Sequence, residues 1–572
     1  MKRNNILLIS ILIFNICILL SCSSPDTREG NINIIPAPEQ VSKGDGLYVL
    51  DNKTQISYSD QSLKEIADSL SFWINEFTGL SIVVEKTPST KGKIHLELKK
   101  DRNVFSDLPK IYGTNPKDGE SIDEQYLLSI GKKNIMIQAT ASEGIYRGMT
   151  SLIQLIGGNM ADKGEKVCLP VLEVKDSPRF AWRGLSLDVS RCFFTVEEVK
   201  QVIDMISLYK MNVLHLHLTD NQGWRIEIKK YPKLTEIGSK LPNDGKPDGY
   251  YTQEQFKELV QYATERYVTI VPEVDIPGHT AALFASYPEF KNAVTLKVNL
   301  GITGQALGAL DVDDTPAMQF VEDVVTELAD ITSGSYIHIG GDETMGLEED
   351  KYIRFINQTR QYVLSKGKKV VGWQEIVRAD ITENDLFQHW IYFSRDTEED
   401  EDRGQTNLSP ETLKILTETF SKAAKDIERG ISKNAKTIIS PNSLVYLDHP
   451  YKEQSIDPEQ NIMKEKVGLV SYPKKTIQKM YEWDPSTFNP SLDASKNIAG
   501  VEATIWCETI NNFKELQFLL MPRLAGVAEK GWSKVENTYW DEYSVRLGSH
   551  SPIWKKMNWY FFKSSLVDWK NP

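Results

Sequence analysis

The chain has 572 residues, with 66 basic against 79 acidic side chains and a net charge of −13. That balance argues against a nucleic-acid binder, which needs a basic footprint to neutralise phosphates. Hydrophobic residues at 40% and charged residues at 25% fit a folded globular protein and exclude wholesale disorder. The length allows more than one domain, although an α/β barrel can run to ~250 residues or more as one unit.

The first segment reads as an address. Lys2 and Arg3 form a positive n-region, and Ile6 to Leu20 is apolar apart from Ser10 and Asn15. That run is shorter than the ~20 apolar residues of a membrane span and has the form of a signal-peptide h-region. It ends in Leu19-Leu20-Ser21-Cys22, which resembles a bacterial lipobox. The resemblance implies a lipoprotein signal over 1–22, lipidation at Cys22 and a polar tether over 23–31. No other long apolar span occurs in the sequence. The mature chain is therefore expected in the bacterial cell envelope, at the periplasmic face or the cell surface. Its membrane contact would be the lipid anchor alone. Of five cysteines, Cys168, Cys192 and Cys507 lie outside this segment. They are scattered, show no C-x-x-C spacing and read as buried thiols.

Residues 32–177 mix short β-rich runs with helical ones. Lys93 to Leu98 alternates like a half-buried strand. Tyr126–Ile130 and Asn134–Ala139 form a strand pair around Gly131-Lys132-Lys133, and Ser142–Ile156 reads as a helix. This is an α+β domain with no dense cluster of catalytic residue types, so its expected role is support. From Arg179 onward, apolar strands alternate with amphipathic helices, the pattern of a parallel sheet. The strands are Gly184–Val189, Asn212–Thr219, Val268–Val274, Tyr336–Gly340, Lys369–Trp373, Asp385–Trp390, Thr437–Tyr446 and Ala499–Trp506. Thr195 with Glu198, and Thr252 with Gln255, have the spacing of capping boxes at helix starts. A βα rhythm with eight strands predicts a TIM (β/α)8 barrel over 178–535. An insertion near 394–435 interrupts it with the acidic run Asp396 to Arg403, read as a solvated face. Residues 536–572 read as a C-terminal helical segment.

In a TIM barrel the active site forms where strands end. Those positions hold Asp188, Arg191, Asp220, His279, Asp342 with Glu343, Trp373 with Glu375, Trp390, Tyr446 with Asp448, and Trp506 with Glu508. Carboxylates accept hydrogen bonds from hydroxyls and indole faces cover pyranose rings, so the rim suits a carbohydrate. The sharpest element is His338-Ile339-Gly340-Gly341-Asp342-Glu343. Two glycines allow a tight turn, and two adjacent carboxylates push their pKa values apart. One stays protonated while the other stays ionised, as glycoside hydrolysis requires. Neighbouring residues point in different directions, which argues against a simple nucleophile-and-acid pair across one bond. His215-x-His217 has metal-pair spacing, but it shares a strand face with Val213, which fits a packed barrel interior.

The chain resembles glycoside hydrolase family 20, the β-N-acetylhexosaminidases. The stretches that carry the resemblance are Trp182-Arg183-Gly184 with Asp188 and Arg191, His215 to Arg225 (HLHLTDNQGWR), Pro272-Glu273 with Pro277-Gly278-His279, Gly340 to Glu343, Gly372-Trp373-Gln374-Glu375, Tyr446-Leu447-Asp448 and Trp506-Cys507-Glu508. Ile35-Pro36, Pro38 and Glu143–Leu155 resemble the small α+β domain that precedes the barrel in that family. The resemblance implies an exo-acting enzyme that releases terminal non-reducing N-acetylhexosamine from glycans with retention. The nucleophile would be the substrate's own 2-acetamido oxygen, an exception to the two-carboxylate scheme. It implies Glu343 as general acid/base, Asp342 orienting the acetamido group and Tyr446 bonding its carbonyl oxygen. Trp373, Trp390 and Trp506 would wall the acetyl methyl. Arg183, Asp448 and Glu508 would hold sugar hydroxyls, with Asp220 and His279 supporting the acidic pair. No metal and no cofactor are implied. Asn221 stands where the family commonly has a second aspartate, and Cys507 departs from the commoner small residues. Three alternatives remain: a lacto-N-biosidase of the same family, a metal-dependent TIM-barrel hydrolase, and a non-catalytic sugar-binding lipoprotein. Gluco and galacto preference both stay open.

Overall fold

The computed structural model describes residues 31–570, apart from 88–92, 118–122, 161–165, 242–243, 295–307, 393–413, 415–416 and 419–420. The expected signal, Cys22 and nearly all of the tether lie outside the described residues, as does the acidic run after Trp390. Among the described residues no helix is long and apolar enough to cross a membrane.

The N-terminal unit is one seven-stranded sheet. Its strands are β1 (Gln40–Leu50), β2 (Gln55–Tyr58), β3 (Val83–Lys86), β4 (Ile94–Leu98), β5 (Tyr126–Ile130), β6 (Ile135–Ala139) and β7 (Val167–Asp176), in the spatial order β1-β7-β5-β6-β4-β2-β3. The expected strand pair is the antiparallel hairpin β5–β6, in register from Tyr126↔Ala139 to Ile130↔Ile135. The expected helix runs Ser142–Gly158, and every residue after Ser142 is buried. It is buried all round because the sheet lies on one side and the barrel on the other. Gly148 permits that fit, since a Cβ there would stand 2.5 Å from the Ile137 side chain.

The second unit is the predicted TIM barrel. Its strands are β8 (Trp182–Asp188), β9 (Val213–His217), β12 (Thr269–Glu273), β13 (Tyr336–His338), β14 (Lys369–Trp373), β15 (Leu386–His389), β16 (Lys436–Ile439) and β17 (Ile498–Ile505). All pair in parallel and close into a ring. A small hairpin, β10 (Thr219–Asp220) with β11 (Gly223–Trp224), follows β9. Both capping boxes form, at Thr195/Glu198 and Thr252/Gln255. Several strands are shorter than expected, the seventh most of all. The seventh ends at Ile439, because Pro441 has no N–H to give the ladder and Asn442–Val445 makes a helical turn. Tyr446 therefore sits after that turn, held by a bridge to Thr504 and by Leu447 N–H donating to Thr504 O at 2.8 Å.

Side chains alternate along each strand, so residues two apart line the barrel in layers. The floor is Trp182, Val213, Val271, Tyr336, Val371, Leu386, Ile438 and Ala499. Two residues on, the lining turns polar at His215, Glu273, His338, Gln388 and Ser440, all buried, together with Glu502. The pocket opens above this layer.

Below the floor, buried charges join the two units. Glu124 accepts from Arg147 Nε at 2.9 Å and from Arg183 Nη2. Lys210 Nζ reaches Asp176 Oδ2 at 3.1 Å, and Trp532 Nε1 donates to Asp176 Oδ1 at 3.0 Å. The chain ends of the described region meet nearby. His550 Nε2 lies 2.6 Å from Asn33 O, and Trp554 Nε1 donates to Tyr209 Oη at 2.7 Å. These contacts come from the expected C-terminal helical segment, which holds helices Trp540–Gly548 and Ser551–Lys556.

Arg183 belongs to this lower layer, which corrects the expectation that it holds a sugar hydroxyl. It is the second residue of β8, at the end of the barrel opposite the active-site rim, and its guanidinium also donates to Lys210 O at 2.9 Å and Phe180 O at 2.7 Å. Replacing Arg183 with Met leaves the buried Glu124 with Arg147 alone. We expect a loss of about 3 kcal/mol of stability in urea unfolding, with the KM of the folded fraction unchanged. A tenfold rise in KM at unchanged stability would return Arg183 to the substrate.

Candidate active site

After β13 the chain turns through Gly340 and Gly341, with φ of +66° and +97°. A Cβ on Gly340 would fall 1.9 Å from Asp275 Oδ1, and Gly341 N–H donates to that same oxygen at 3.1 Å. Only glycine allows this approach. The turn delivers Asp342, buried, and Glu343, whose side chain is 34% exposed. Glu343 itself holds φ +46° and His279 holds φ +50°, a left-handed conformation that costs a non-glycine residue about 1–2 kcal/mol.

His279 links the acidic pair to the hairpin. Its Nε2 stands 3.8 Å from both Asp342 Oδ2 and Glu343 Oε2, and its Nδ1 stands 3.0 Å from Asp220 Oδ2. Asp220 Oδ2 also meets His217 Nε2 at 3.1 Å and Arg191 Nη2 at 2.6 Å. Burial alone would raise the Asp220 carboxyl, but Arg191 and His279 overcome it and hold it well below the usual range. Burial likewise opposes the charge on His279, yet Asp220, Asp275 and Asp342 keep its imidazolium well above the ordinary value. The Asp342 carboxyl is pushed well up, first by burial and then by the negative Asp275 beside it. Asp275 is raised to about 6, chiefly by burial.

Aromatic rings close the pocket beside Asp342. Trp373 is fully buried, and its Nε1 donates to Glu273 Oε1 at 2.8 Å. Trp506 lies 5.8 Å from Trp373 and 6.0 Å from Tyr446, ring centre to ring centre. Trp390 is clamped by two neighbours on the turn after β14. Gln374 Oε1 accepts its backbone N–H at 3.1 Å, and Glu375 Oε2 accepts its indole N–H at 3.2 Å. Beneath the rings, Glu273 stands 2.9 Å from His215 Nε2, 2.6 Å from His217 Nδ1 and 3.2 Å from His338 Nδ1. The His215–Glu273–His338 set and the His279–Asp342–Glu343 set each bring three ligand-type atoms within 4.8 Å of one another. In the first set every imidazole is directed at a carboxylate in a fully buried layer, which suits structural ion pairing.

Two family models match the chain. Residues 180–535 match the model of the glycosyl hydrolase family 20 catalytic domain, and residues 31–177 match that of family 20 domain 2. The chain belongs to glycoside hydrolase family 20. The β-N-acetylhexosaminidase of Cellulomonas fimi is 35% identical over 452 residues, spanning 79% of this chain and 82% of that one. The β-hexosaminidase of Akkermansia muciniphila is 30% identical over 443 residues, 76% and 85% of the two chains. Among solved structures, the Streptomyces plicatus N-acetyl-β-hexosaminidase in complex with thio-NAglucal superposes with a TM-score of 0.77 at 32% identity. It covers 96% of this chain and 99% of its own.

In this family-20 barrel the structure gathers Asp220, His279, Asp342, Glu343, Trp373, Trp390, Tyr446 and Trp506 at one pocket. Asp448 and Glu508 stand close to each other on the strand-end side. Burial raises both carboxyls, and the like charge of Glu508 raises Asp448 further. The Arg191 guanidinium acts on Glu508 from this side; it also stands 3.3 Å from Asp188 Oδ2 and lies 5.1 Å over the Trp506 ring. Sequence reading placed Arg191 at the strand end but gave the sugar contact to Arg183. It also passed over Asp275 and Tyr472. Asp275 was accessible through parity, being on the same face as Val271 and Glu273. Tyr472, 6.1 Å from Tyr446 and stacked at 4.7 Å on His449, lies in a long loop with no periodic signal. Cys192 and Cys507 are buried as expected, whereas Cys168 is only half-buried.

The buried layer predicts a pH dependence. Burial would lower the His215 value, but Glu273 and Glu502 overcome it and raise it to about 9. A histidine raised on folding stabilises fully below its unfolded value near ~6.5, and that contribution is lost as pH rises through the folded value. The stability gap between the wild type and His215→Gln should therefore shrink from pH 6.5 to 9. Parallel urea-stability profiles across that window would contradict the charged-imidazole assignment.

Proposed function

We propose that this pocket binds one terminal, non-reducing, β-linked N-acetylhexosamine and releases it with retention, using the substrate's acetamido oxygen as nucleophile. The observation that carries the reading is the shared imidazole. Asp342 and Glu343 come from consecutive residues of one turn and both stand 3.8 Å from His279 Nε2. One imidazole thus holds both acids, and an oxygen of each lies within 4.8 Å of the other's. A retaining pair that uses a protein nucleophile instead flanks the scissile bond.

The two carboxyls then divide the work. Glu343, the more exposed, protonates the leaving oxygen and later takes a proton from water, with His279 and Asp220 positioning it. Asp342 faces the aromatic box and takes the acetamido N–H. Burial and Asp275 make its anion costly in the free site. The oxazolinium-like cation that forms beside it removes that cost, so its stabilisation is greater in the transition state than in the ground state. Tyr446 donates to the acetamido carbonyl, and Trp373, Trp390 and Trp506 confine the methyl group. Holding the oxygen against the anomeric carbon is worth up to ~7–11 kcal/mol for a well-held near-attack conformer. Arg191 as charged donor, with Asp448 and Glu508 as acceptors, suits the remaining hydroxyls.

A substrate series tests the nucleophile. An aryl β-glucoside lacking the acetamido group should be essentially inert, and successive fluorination of the acetyl methyl should slow turnover steeply. A flat fluorination series, or a glycosyl ester trapped on Asp342 or Glu343, would overturn the assignment.

Glu343→Gln should lose about 10²–10⁴-fold on substrates with a sugar leaving group. The first chemical step should suffer far less with a nitrophenol leaving group, which departs without protonation. Equal losses in that step on both would remove Glu343 from the acid role.

The lipobox-like Leu19-Leu20-Ser21-Cys22 and the basic residues before it support a lipid-anchored enzyme in the bacterial envelope. Cys22→Ala should move activity from the membrane to the soluble fraction with kcat unchanged. Activity still sedimenting with membranes would rule out the anchor.

A further inference from the structure

A second cavity, about 620 Å³ in volume, lies where the N-terminal unit meets the outside of the barrel. Its walls come from helix Lys64–Thr78, helix Ser142–Gly158 and the ends of helices Val196–Leu208 and Gln253–Thr264. Leu208 and Thr264 to Tyr267 precede β9 and β12, so this groove is at the end of the barrel opposite the catalytic rim.

Its lining is mixed in a specific way. Trp73 and Tyr267 are both half-buried; Trp73 offers aromatic surface, while Tyr267 is backed by Tyr146 at 5.2 Å between ring centres and has Lys117 Nζ 5.2 Å from its own ring centre. Met149, Ile153 and Met557 make an apolar floor. Around these stand hydroxyl and amide groups of Ser62, Ser69, Thr264 and Gln261. The charged lining residues are Glu65, Asp204 and Glu265 against Arg266, and Arg266 Nε is committed to Asp204 Oδ1 at 2.6 Å. The unbalanced charge is negative, which disfavours phosphates, nucleic acids and anionic lipids. Flat aromatic faces beside neutral hydrogen-bonding groups match a polyhydroxylated ring, with one apolar face and a polar edge. Tyr267 also holds φ +55°, with its carbonyl pinned by Arg147 Nη2 at 3.0 Å. A bulky side chain is thus kept in a turn where glycine would be free of strain.

We propose that this groove is a second, non-catalytic saccharide site that takes an uncharged oligosaccharide. Standing at the opposite end of the barrel, it cannot extend the catalytic cleft. It holds the enzyme on a multivalent glycan while the pocket trims another chain end, raising the local concentration of substrate. The choice of an N-acetylhexosamine probe rests on the catalytic reading, whereas the groove's geometry does not.

The test uses the full chain carrying Glu343→Gln and titrates it with hexa-N-acetylchitohexaose by calorimetry. Two binding events are expected. Saturating the catalytic pocket with a cyclic thiazoline mimic of the oxazoline should leave one. Trp73→Ala and Gln261→Trp, made separately in the same background, should each weaken that remaining event at least tenfold. In otherwise wild-type chains both substitutions should keep kcat/KM on a nitrophenyl N-acetylglucosaminide within twofold, which also reports folding. Gln261 is exposed, so its variant decides the matter if Trp73→Ala does not fold. No binding to the thiazoline-blocked chain, or binding unaltered by Gln261→Trp, would overturn the second site. Failure of the thiazoline to remove any event would instead count against the catalytic reading.

Discussion

The pocket depends on one buried carboxylate. Glu273 has no exposed surface, and removing a charge from water costs several kcal/mol unless partners replace the lost hydration. Here His215, His217 and His338 surround it and Trp373 donates to it. Three imidazoles and an indole are thereby fixed in orientation by a single side chain. From His217 the arrangement continues to Asp220, from Asp220 to His279, and from His279 to the acidic pair. The aromatic wall starts from the same anchor through Trp373. The ion-pair layer holds catalytic groups in place more than it adds net stability, because a well-packed apolar layer would hold the barrel together as well.

Strain at the rim follows from that rigidity. His279 and Glu343 both adopt left-handed backbone, and such conformations persist only where the surroundings over-determine them. Asp220 and Asp275 supply those constraints, the first through the imidazole and the second through Gly341 N–H. The two glycines before Asp342 let the chain pass close enough to Asp275 for that hydrogen bond. The position of Glu343 therefore depends on the hairpin and on the segment after β12 as well as on its own turn.

The barrel was legible because strand alternation and helix caps repeat along the chain, and all eight expected strands form. Where the reading failed, a long-range or polarity argument was needed. Thr437–Tyr446 looked like one continuous strand because Leu444 and Val445 prolong the apolar run, yet Pro441 already marked its end. Arg183 lies near the start of β8 and Arg191 just past its end, and strand direction separates them: one stands beneath the floor and the other beside Trp506. Tyr472 reaches the pocket from a loop whose path depends on tertiary packing, such as the stack on His449, and no local pattern encodes that. Adjacent acids in a glycine turn, by contrast, are a purely local signal, and they were found where the sequence placed them.

The meeting of Asn33 with His550, and of Tyr209 with Trp554, has a bearing on biosynthesis. The helix sandwiched between sheet and barrel also packs Gly157 against Ile553, where a Cβ would stand only 2.4 Å from that side chain. The sheet emerges from the ribosome first, but its sandwiched helix is covered only when the last helices arrive. Until that C-terminal segment packs on it, the helix keeps an open apolar seam, and such seams are sites of aggregation and chaperone capture. The packing of the N-terminal sheet is completed only where Ile553 closes on Gly157.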